Sequence, residues 1–591
     1  MTLLEDLAGI LGAAFEAEGF DAGYGAVRVS DRPDLAQFQC NGALAAAKSA
    51  AKSEKLNPRA LGERIAGRLD GDDRFSDVGV AGPGFVNINL SDTFLSQRAT
   101  ALAGDERLSG WSHAVPEKVV LDFGGPNVAK PLHVGHLRSA IIGESLKRLL
   151  RFAGDDVVGD IHLGDWGLQM GQLISELALR QPDLPYFNNN FDGPYPETPP
   201  IALSDLEEMY PAASAACKAD PERAEAARRA TKQLQDGHKG YRALWRGFVD
   251  LSVDAMRRNY ADLNVVFDLW KGESDADPYI EEIVSDLRAR EVAVESDGAL
   301  VVPVSRADDK KEMPPLILVN SQGAVGYHAT DIATIVDRKR SQQPDRIFYV
   351  VDNRQSLHFE QVFRAVDKAG YFDEHRLEHL GFGTMQGPDG KPFKTREGGV
   401  LKLRDLIDMV SEQAIKRLGE NGLASEAGDA EQREIARKVG VAALKFADLS
   451  SQRTTDYIFD LDRFMAFEGK TGPYLLYASV RVKSVLRRAA DKGETAGAPI
   501  AAGTKEERDL ALCLLGFSEA VKSAHQKRMP HFLCEHAYAL AQAFSKFYGA
   551  CRILDEKDDA VRGSRLTLAD AAGRQLTLTL SLLGIETPDR M

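Results

Sequence analysis

Apolar residues at Leu3, Leu4, Leu7, Ile10, Leu11, Ala14 and Phe15 recur at three- and four-residue spacing, which predicts an amphipathic first helix. Farther along, "VGVAGPGFVNINL" at 78–90 reads as strand, turn, strand. Residues 1–112 therefore read as a small α+β unit. From 118 onward β-type runs alternate with helical ones: "KVVLDF" at 118–123, "DDVVGDIHLG" at 155–164, "LILV" at 316–319 and "DRIFYVVD" at 345–352. That alternation predicts an α/β domain built on a parallel sheet flanked by helices. Between 183 and 265 a Pro- and Asn-rich loop, "YFNNNFDGPYPETPP", and a charged helical stretch read as an insertion. After about 430 the strand signals largely stop, and residues 431–591 have the helical periodicity of an all-α unit. "LTLTLSLL" at 576–583 alternates like a strand, yet Leu576, Leu580 and Leu583 also fit a helical stripe, so periodicity leaves both open.

One junction in this pattern carries chemistry. "KVVLDF" ends at Gly124, Gly125 and Pro126, and a helical stripe of Leu137, Ile141, Ile142, Leu146, Leu149 and Leu150 runs on to Gly154. Within "PNVAKPLHVGHLRSAIIG" at 126–143, His133 and His136 fall in the loop and first turn of that helix. Its unpaired N–H groups and partial positive charge make the outline of a phosphate site. Gly135 removes a side chain between the two imidazoles, and Lys130 adds a cation. No further Cys, Asp or Glu stands at metal-ligand spacing, which disfavours half a metal site, and neither G-x-G-x-x-G nor a Walker loop is present here. A second loop, "GPDGKPFKTREGG" at 387–399, reads alone as a solvated hairpin. Beside the first, its Lys391 and Lys394 are candidates to close over the same phosphates.

Length and composition narrow the reading. The 591 residues allow three or four domains, and a net charge of -15 without a basic tail confines any nucleic-acid contact to local patches. Cys40, Cys217, Cys513, Cys534 and Cys551 are scattered with no C-x-x-C pair, which argues against a disulfide framework or a zinc knuckle. With no basic leader and no apolar run near the ~20 residues needed to span a bilayer, a cytoplasmic protein without a membrane partner is expected.

A His-x-Gly-His loop after a first strand and a lysine loop after a last one resemble the ATP-binding elements of class I aminoacyl-tRNA synthetases. Within that class the chain resembles the bacterial arginyl-tRNA synthetases. The resemblance rests on "PNVAKPLHVGHLRS" at 126–139, "GDWGLQMG" at 164–171, "GES" at 272–274, "YHATDIA" at 327–333, "QSLHFEQ" at 355–361, "GKPFKTR" at 390–396, "GPYLLYASVR" at 472–481 and "GIETPDRM" at 584–591. "QCNGALAAAK" at 39–48 and "VAGPGFVNI" at 80–88 extend it into the first unit.

This resemblance implies three domains: 1–112 contacting the tRNA D-loop region, 113–455 a Rossmann-like catalytic domain with the insertion at about 183–265, and 456–591 a helical anticodon-binding domain. It implies Lys130, His133, His136 and Lys394 as catalytic residues, with Gly135 and Lys391 joining His133, His136 and Lys394 around ATP. Asn127, Glu273, Tyr327, Asp331 and Gln355 would bind arginine, and Phe85 and Asn87 would touch tRNA. A guanidinium offers five donors in a plane, so two carboxylates and a phenol suit it, and Tyr327 and Asp331, four apart, share a helix face. The expected substrates are L-arginine, ATP with Mg2+, and tRNA-Arg, the expected state is a monomer, and tRNA is expected to bind before the amino acid is activated. Arg481, Lys483, Arg487 and Arg488 are candidate backbone contacts for it. Rival readings are a class I synthetase for another amino acid, a small nucleotidyltransferase with the same loop, and a synthetase-like RNA-binding protein without chemistry. The helical C-terminal unit disfavours the second, and the intact Lys130, His133, His136 and Lys394 disfavour the third.

Overall fold

Val119, Val120, Leu121 and Phe123 are all buried because their strand runs through the middle of a sheet covered on both faces. A computed structural model of the chain describes residues 2–50, 56–387, 390–391 and 401–591. The chain divides into two compact units, Ala114–Arg417 with Ala436–Met465, and Met1–His113 with Leu418–Ile435 and Ala466–Met591.

The first of these units holds the sheet. Its strands are β1 (Lys118–Phe123), β2 (Asp156–Leu163), β3 (Leu269–Gly272), β4 (Arg346–Val350) and β5 (Leu377–His379), in the spatial order β5-β4-β1-β2-β3. Every neighbouring pair is parallel. The chain therefore steps outward from β1 through β2 to β3, then returns to β4 on the other side of β1. The crevice at the carboxyl ends of β1 and β4 is the topological switch point, where sheets of this kind bind ligands. β3 and β5 escape the sequence pattern because they are edge strands of four and three residues with polar members.

"LILV" at 316–319 is a strand, as expected, but outside the parallel sheet. It pairs antiparallel with Ala299–Val302, which in turn pairs with Val294–Ser296. The cue lies upstream: Asp297 and Gly298, with φ of +51° and +78°, make the two-residue hairpin turn that Asp-Gly favours. A run of four apolar residues does not by itself distinguish the two pairings.

Between β2 and β3 the helix Leu168–Arg180 is followed by three longer ones, Leu203–Ala219, Pro221–Gln235 and Lys239–Asp262. Side chains from the last of them reach the switch point, where Ser252 Oγ accepts the Ala129 N–H at 3.0 Å and Tyr260 OH donates to the Gly124 carbonyl at 2.7 Å.

In the other unit the first helix spans Leu3–Ala17 and is closed by a Thr2–Glu5 capping box. A four-stranded antiparallel sheet follows, in the order Val27–Val29, Phe38–Cys40, Phe85–Leu90, Phe75–Ala81. "LTLTLSLL" resolves as helix: it closes the helix Asp559–Leu582, started by an Asp558 N-cap, with Leu576, Leu580 and Leu583 buried. Thr579 is buried there without penalty because its hydroxyl donates to the Gln575 carbonyl at 2.7 Å. N- and C-terminal segments join through Thr100 and Ser96, whose hydroxyls accept the N–H groups of Ile500 and Ala502 at 2.8 and 3.1 Å. Among the described residues no helix is long and apolar enough to cross a membrane.

Candidate active site

β1 leaves the sheet through two glycines that local geometry requires. Gly124 has φ +79°, and a Cβ on Gly125 would stand 2.4 Å from the backbone carbonyl oxygen of His162. The loop passes Ala129, whose φ of +62° is costly for a residue with a Cβ and is secured by the bond to Ser252. It enters helix α1 (Val134–Ala153) with His133 as N-cap, and Gly154 at φ +107° ends that helix.

The two histidines cap each other's backbone. His133 Nδ1 accepts the Gly135 N–H at 3.0 Å, and His136 Nδ1 accepts the His133 N–H at 3.2 Å. Their ring centroids lie 4.0 Å apart, and a Cβ at Gly135 would collide with His133 Cε1 at 2.8 Å. Burial pushes His136 down to about 3, with His133 adding to the effect, while burial and then Lys130 lower His133. Both rings are therefore neutral at pH 7, and with Nδ1 accepting, each carries its proton on Nε2. The loop offers two uncharged N–H donors whose state does not change through the physiological range.

That burial has a measurable consequence. The unfolded His136 binds a proton below about 6.5 while the folded one resists it down to about 3, so acid favours unfolding over this window. Stability is expected to fall as pH drops from 6.5 towards 4, and His136→Asn is expected to flatten that slope by at most ~1.4 kcal/mol per pH unit. Urea unfolding at stepped pH reads the slope directly; an unchanged slope in the variant would contradict a buried neutral ring.

A cavity of about 270 Å³ opens at the switch point, lined among others by Gly124, Gly125, Gly135, His136, His162 and Asp331. Ser139 fixes its floor by accepting the Gly124 N–H at 2.7 Å and donating to the Val350 carbonyl at 2.7 Å. Its acidic lining residues are Asp122, Asp331 and Asp352, and Glu273 lies near Asp331. Glu273 opens helix α2 (Glu273–Ala289), and Asp331 lies one turn into helix α3 (Tyr327–Gln342). Burial raises the Glu273 pKa, with His162, Asp165 and Asp331 as its charged neighbours and the Trp166 N–H bonded to it. Asp331 Oδ2 sits 2.7 Å from Nε2 of His358, in helix α4 (Ser356–Lys368). Asp165, raised by burial, accepts Ser274 Oγ at 2.6 Å and thereby holds the start of α2.

Of the expected site residues, Gly135, His136 and Asp331 line this cavity, the His133 ring is tilted against that of His136, and Glu273 is near enough to Asp331 for the two charges to interact. Asn127 is exposed and bridged to Gly164 between the ends of β1 and β2. Lys130 points the other way, 4.8 Å over the Tyr210 ring, and lines a smaller cavity of about 70 Å³ with Glu207, Lys402 and Arg404. Tyr327 is 65% exposed, its ring stacked on His328 and 5.1 Å from that of His358. Gln355 is exposed at the N-cap of α4. The Lys391 backbone carbonyl accepts the Gly387 N–H at 2.7 Å, whereas Lys394 lies outside the described residues. Beyond that loop, Val134 donates to the Leu401 carbonyl at 3.1 Å and Leu403 to the Leu132 carbonyl at 2.8 Å, which ties its far end to the histidine loop.

Phe85 and Asn87 belong to the other unit. They alternate with buried Val86, Ile88 and Leu90, and Asn87 Oδ1 accepts from Gln39 Nε2 at 3.0 Å. Lys483 there is engaged by Asp589 at 2.9 Å, and Arg481 lies 4.7 Å over the Tyr477 ring.

Sequence reasoning passed over His162, Asp165 and His358, although all three lie in stretches that drew attention. Each is a polar residue at the carboxyl end of a parallel strand or in the element after it, which is the signal that would have found them.

The described geometry has close counterparts. Residues 99–461 match the family of class I tRNA synthetases (R), catalytic domain, residues 475–591 the DALR anticodon binding domain, and residues 2–90 the arginyl tRNA synthetase N terminal domain. Arginine–tRNA ligases of Hyphomonas neptunium and Maricaulis maris are each 54% identical to this chain, over the full length of both partners. Among solved structures the fold is similar to arginyl-tRNA synthetase from Plasmodium falciparum, with TM-score 0.81 and 23% identity, both chains covered in full. From the catalytic match over residues 99–461 and relatives 54% identical along the whole chain, it follows that this protein belongs to the class I arginyl-tRNA synthetases.

Proposed function

We propose that the chain joins L-arginine to tRNA-Arg in two steps at the switch-point cavity. A carboxylate oxygen of arginine attacks the α-phosphorus of ATP, the bond from that phosphorus to the α–β bridging oxygen breaks, and pyrophosphate leaves. The terminal adenosine 2'-hydroxyl of tRNA then attacks the arginyl carbonyl, the carbonyl–phosphate bond breaks, AMP leaves, and the hydroxyl proton goes to AMP or water. The first step needs no general base because the carboxylate is already ionised. Catalysis is then positioning and charge stabilisation. His133 and His136 supply the Nε2–H donors for phosphate oxygens, Gly135 lets the nucleotide approach the backbone, and Lys130, Lys391 and Lys394 supply cations.

Glu273 and Asp331 take the guanidinium, with Tyr327 and Gln355 beside them, and Asn127 takes the main-chain groups of the substrate. A lysine ammonium would leave much of this acceptor set unpaired, so strong rejection of lysine follows without an editing domain. No group of three metal-ligating side chains gathers at the cavity among the described residues. Magnesium therefore enters as the counter-ion of the triphosphate, held mainly by phosphate and water. Phe85 and Asn87 are the contacts to the outer corner of tRNA, and the helices of residues 475–591 read the anticodon. The protein acts as a monomer, and the free cysteines suit a reducing cytoplasm.

The observation that carries this reading is the pairing, at one switch point, of a neutral N–H donor loop with the cavity-lining carboxylate of Asp331 and with Glu273 near it. ATP–pyrophosphate exchange across the amino acids, run with and without tRNA-Arg, tests it. Exchange is expected with arginine alone of the amino acids, and only once tRNA is added. Preference for any other amino acid would overturn the substrate assignment, and no exchange under any condition would favour an RNA-binding protein.

A further inference from the structure

His162 is the strongest unexplained group in the cavity. It sits near the carboxyl end of β2, and both of its ring nitrogens are buried yet have no hydrogen-bond partner among the described residues. The same residue is among those that line the switch-point cavity. A neutral imidazole has one donor and one acceptor, and leaving both unsatisfied away from water is costly. Its partners must therefore come from the contents of the cavity.

The surroundings say what those contents are. Asp160 on its own strand, Asp165 on the following loop and Glu273 at the start of α2 are its near acidic neighbours. Its register partner on β3 is Lys271, whose ammonium is taken by Asp337 of α3 at 2.5 Å. From β1 comes Asp122 and from α3 come Asp331 and Arg338, of which Asp122 and Asp331 share the cavity lining. Arg338 is already bound to Asp122 and Asp160. The immediate neighbours with free capacity are thus carboxylates, which accept only. None of them bonds the His162 ring, and among the described residues nothing donates to it.

We propose that His162 is a specificity residue of the arginine pocket: one ring nitrogen accepts a guanidinium N–H of the substrate and the other donates to a water of the filled cavity. A guanidinium has five N–H donors, more than Glu273 and Asp331 accept in its plane, and a neutral imidazole adds an acceptor without a second charge. This rests on the reading that Glu273 and Asp331 bind the guanidinium.

The test compares His162→Phe, His162→Asn and His162→Gln with Asp331→Asn in tRNA-supplemented ATP–pyrophosphate exchange by the full chain. Phe keeps the ring shape and loses both nitrogens, Asn carries a polar atom near the Nδ1 position, and Gln one near Nε2. Expected in the Phe variant is an arginine KM raised tenfold or more with ATP KM within twofold. Expected too are recovery of most of that loss by either Asn or Gln, and weaker discrimination against Nω-methylarginine, in which one donor is blocked. A structural role alone would shift both KM values together and would not single out the methylated substrate, so that result overturns the proposal. Should the Phe variant not fold, the Asn and Gln pair decides: indistinguishable arginine KM values in these two and the parent chain overturn it. If Asp331→Asn raises the arginine KM while His162→Phe does not, His162 faces water and the carboxylate reading stands; if neither moves it, the carboxylate reading falls first.

Discussion

Replacing Arg338 by methionine is expected to destabilise the sheet-bearing unit by roughly 3–5 kcal/mol, the cost of removing one member of a buried charge cluster. Arg338 is fully buried behind the cavity, with Nη2 at 2.6 Å from Asp122 and 2.8 Å from Asp160, and Nε at 3.0 Å from Asp160. Neither carboxylate has another cation within bonding distance among the described residues, and burial already raises the Asp160 pKa with Arg338 in place. Without the guanidinium both acids remain in the core, and the favourable escape is to bind protons.

The folded variant then holds protons that the unfolded chain has released, so its deficit is expected to shrink as pH falls from 7 towards 5. Urea unfolding of the full chain at the two pH values reads both effects. Adding Asp122→Asn and Asp160→Asn to the variant is expected to restore much of the loss, since neutral amides no longer need a counter-charge. A variant within 1 kcal/mol of the parent at pH 7 would show that the cluster is not held together by Arg338.

Much of this arrangement was legible from the sequence, for reasons that differ along the chain. The strand at 118–123 and the helix after it were clear because a fully buried central strand is uniformly apolar and because Gly154 sits in a left-handed cap. The antiparallel placement of Leu316–Val319 was not clear, since pairing direction lives in the neighbouring Asp297–Gly298 turn rather than in the strand itself. Glu273 and Asp331 came from family resemblance. Spacing alone gave only that Tyr327 and Asp331 share a helix face, and the fold places Tyr327 largely in solvent at the start of that helix.

The structural role of the insertion was invisible locally. Ser252, Trp245 and Tyr260 are ordinary members of a helical pattern, and only the fold brings them to Ala129, Asp165 and Gly124. Arg338 likewise sits on a helix where an arginine reads as a solvated residue. Long-range pairings of this kind are set by topology, which no local period encodes.

Exchanging Asp331 for asparagine is expected to lower kcat/KM for arginine by about 10²-fold or more while leaving the ATP KM within threefold. The substitution keeps volume and removes the charge, so it isolates electrostatics from packing. A charge-assisted hydrogen bond contributes ~1.5–3 kcal/mol, and a guanidinium engages a carboxylate through two such bonds; asparagine keeps a single acceptor oxygen and turns an NH2 donor toward the donors of the substrate.

His358 sharpens the expectation. Its Nε2 lies 2.7 Å from Asp331 Oδ2, leaving the other oxygen for substrate, so the carboxylate is oriented before arginine arrives. In the asparagine variant the amide has two ways to turn, and His358 favours the one that keeps its oxygen, which directs the NH2 group at the guanidinium. His358→Gln, which retains a side-chain donor, is expected to cost far less. The loss in Asp331→Asn should appear mainly as a raised arginine KM in tRNA-supplemented exchange, and the ratio of arginine to lysine use should fall with it, because the pocket then rejects an ammonium less strongly. An unchanged arginine KM and kcat in a folded Asp331→Asn variant would remove this residue from the pocket, and a matching rise in ATP KM would mean that it acts on the fold of the whole crevice rather than on the guanidinium.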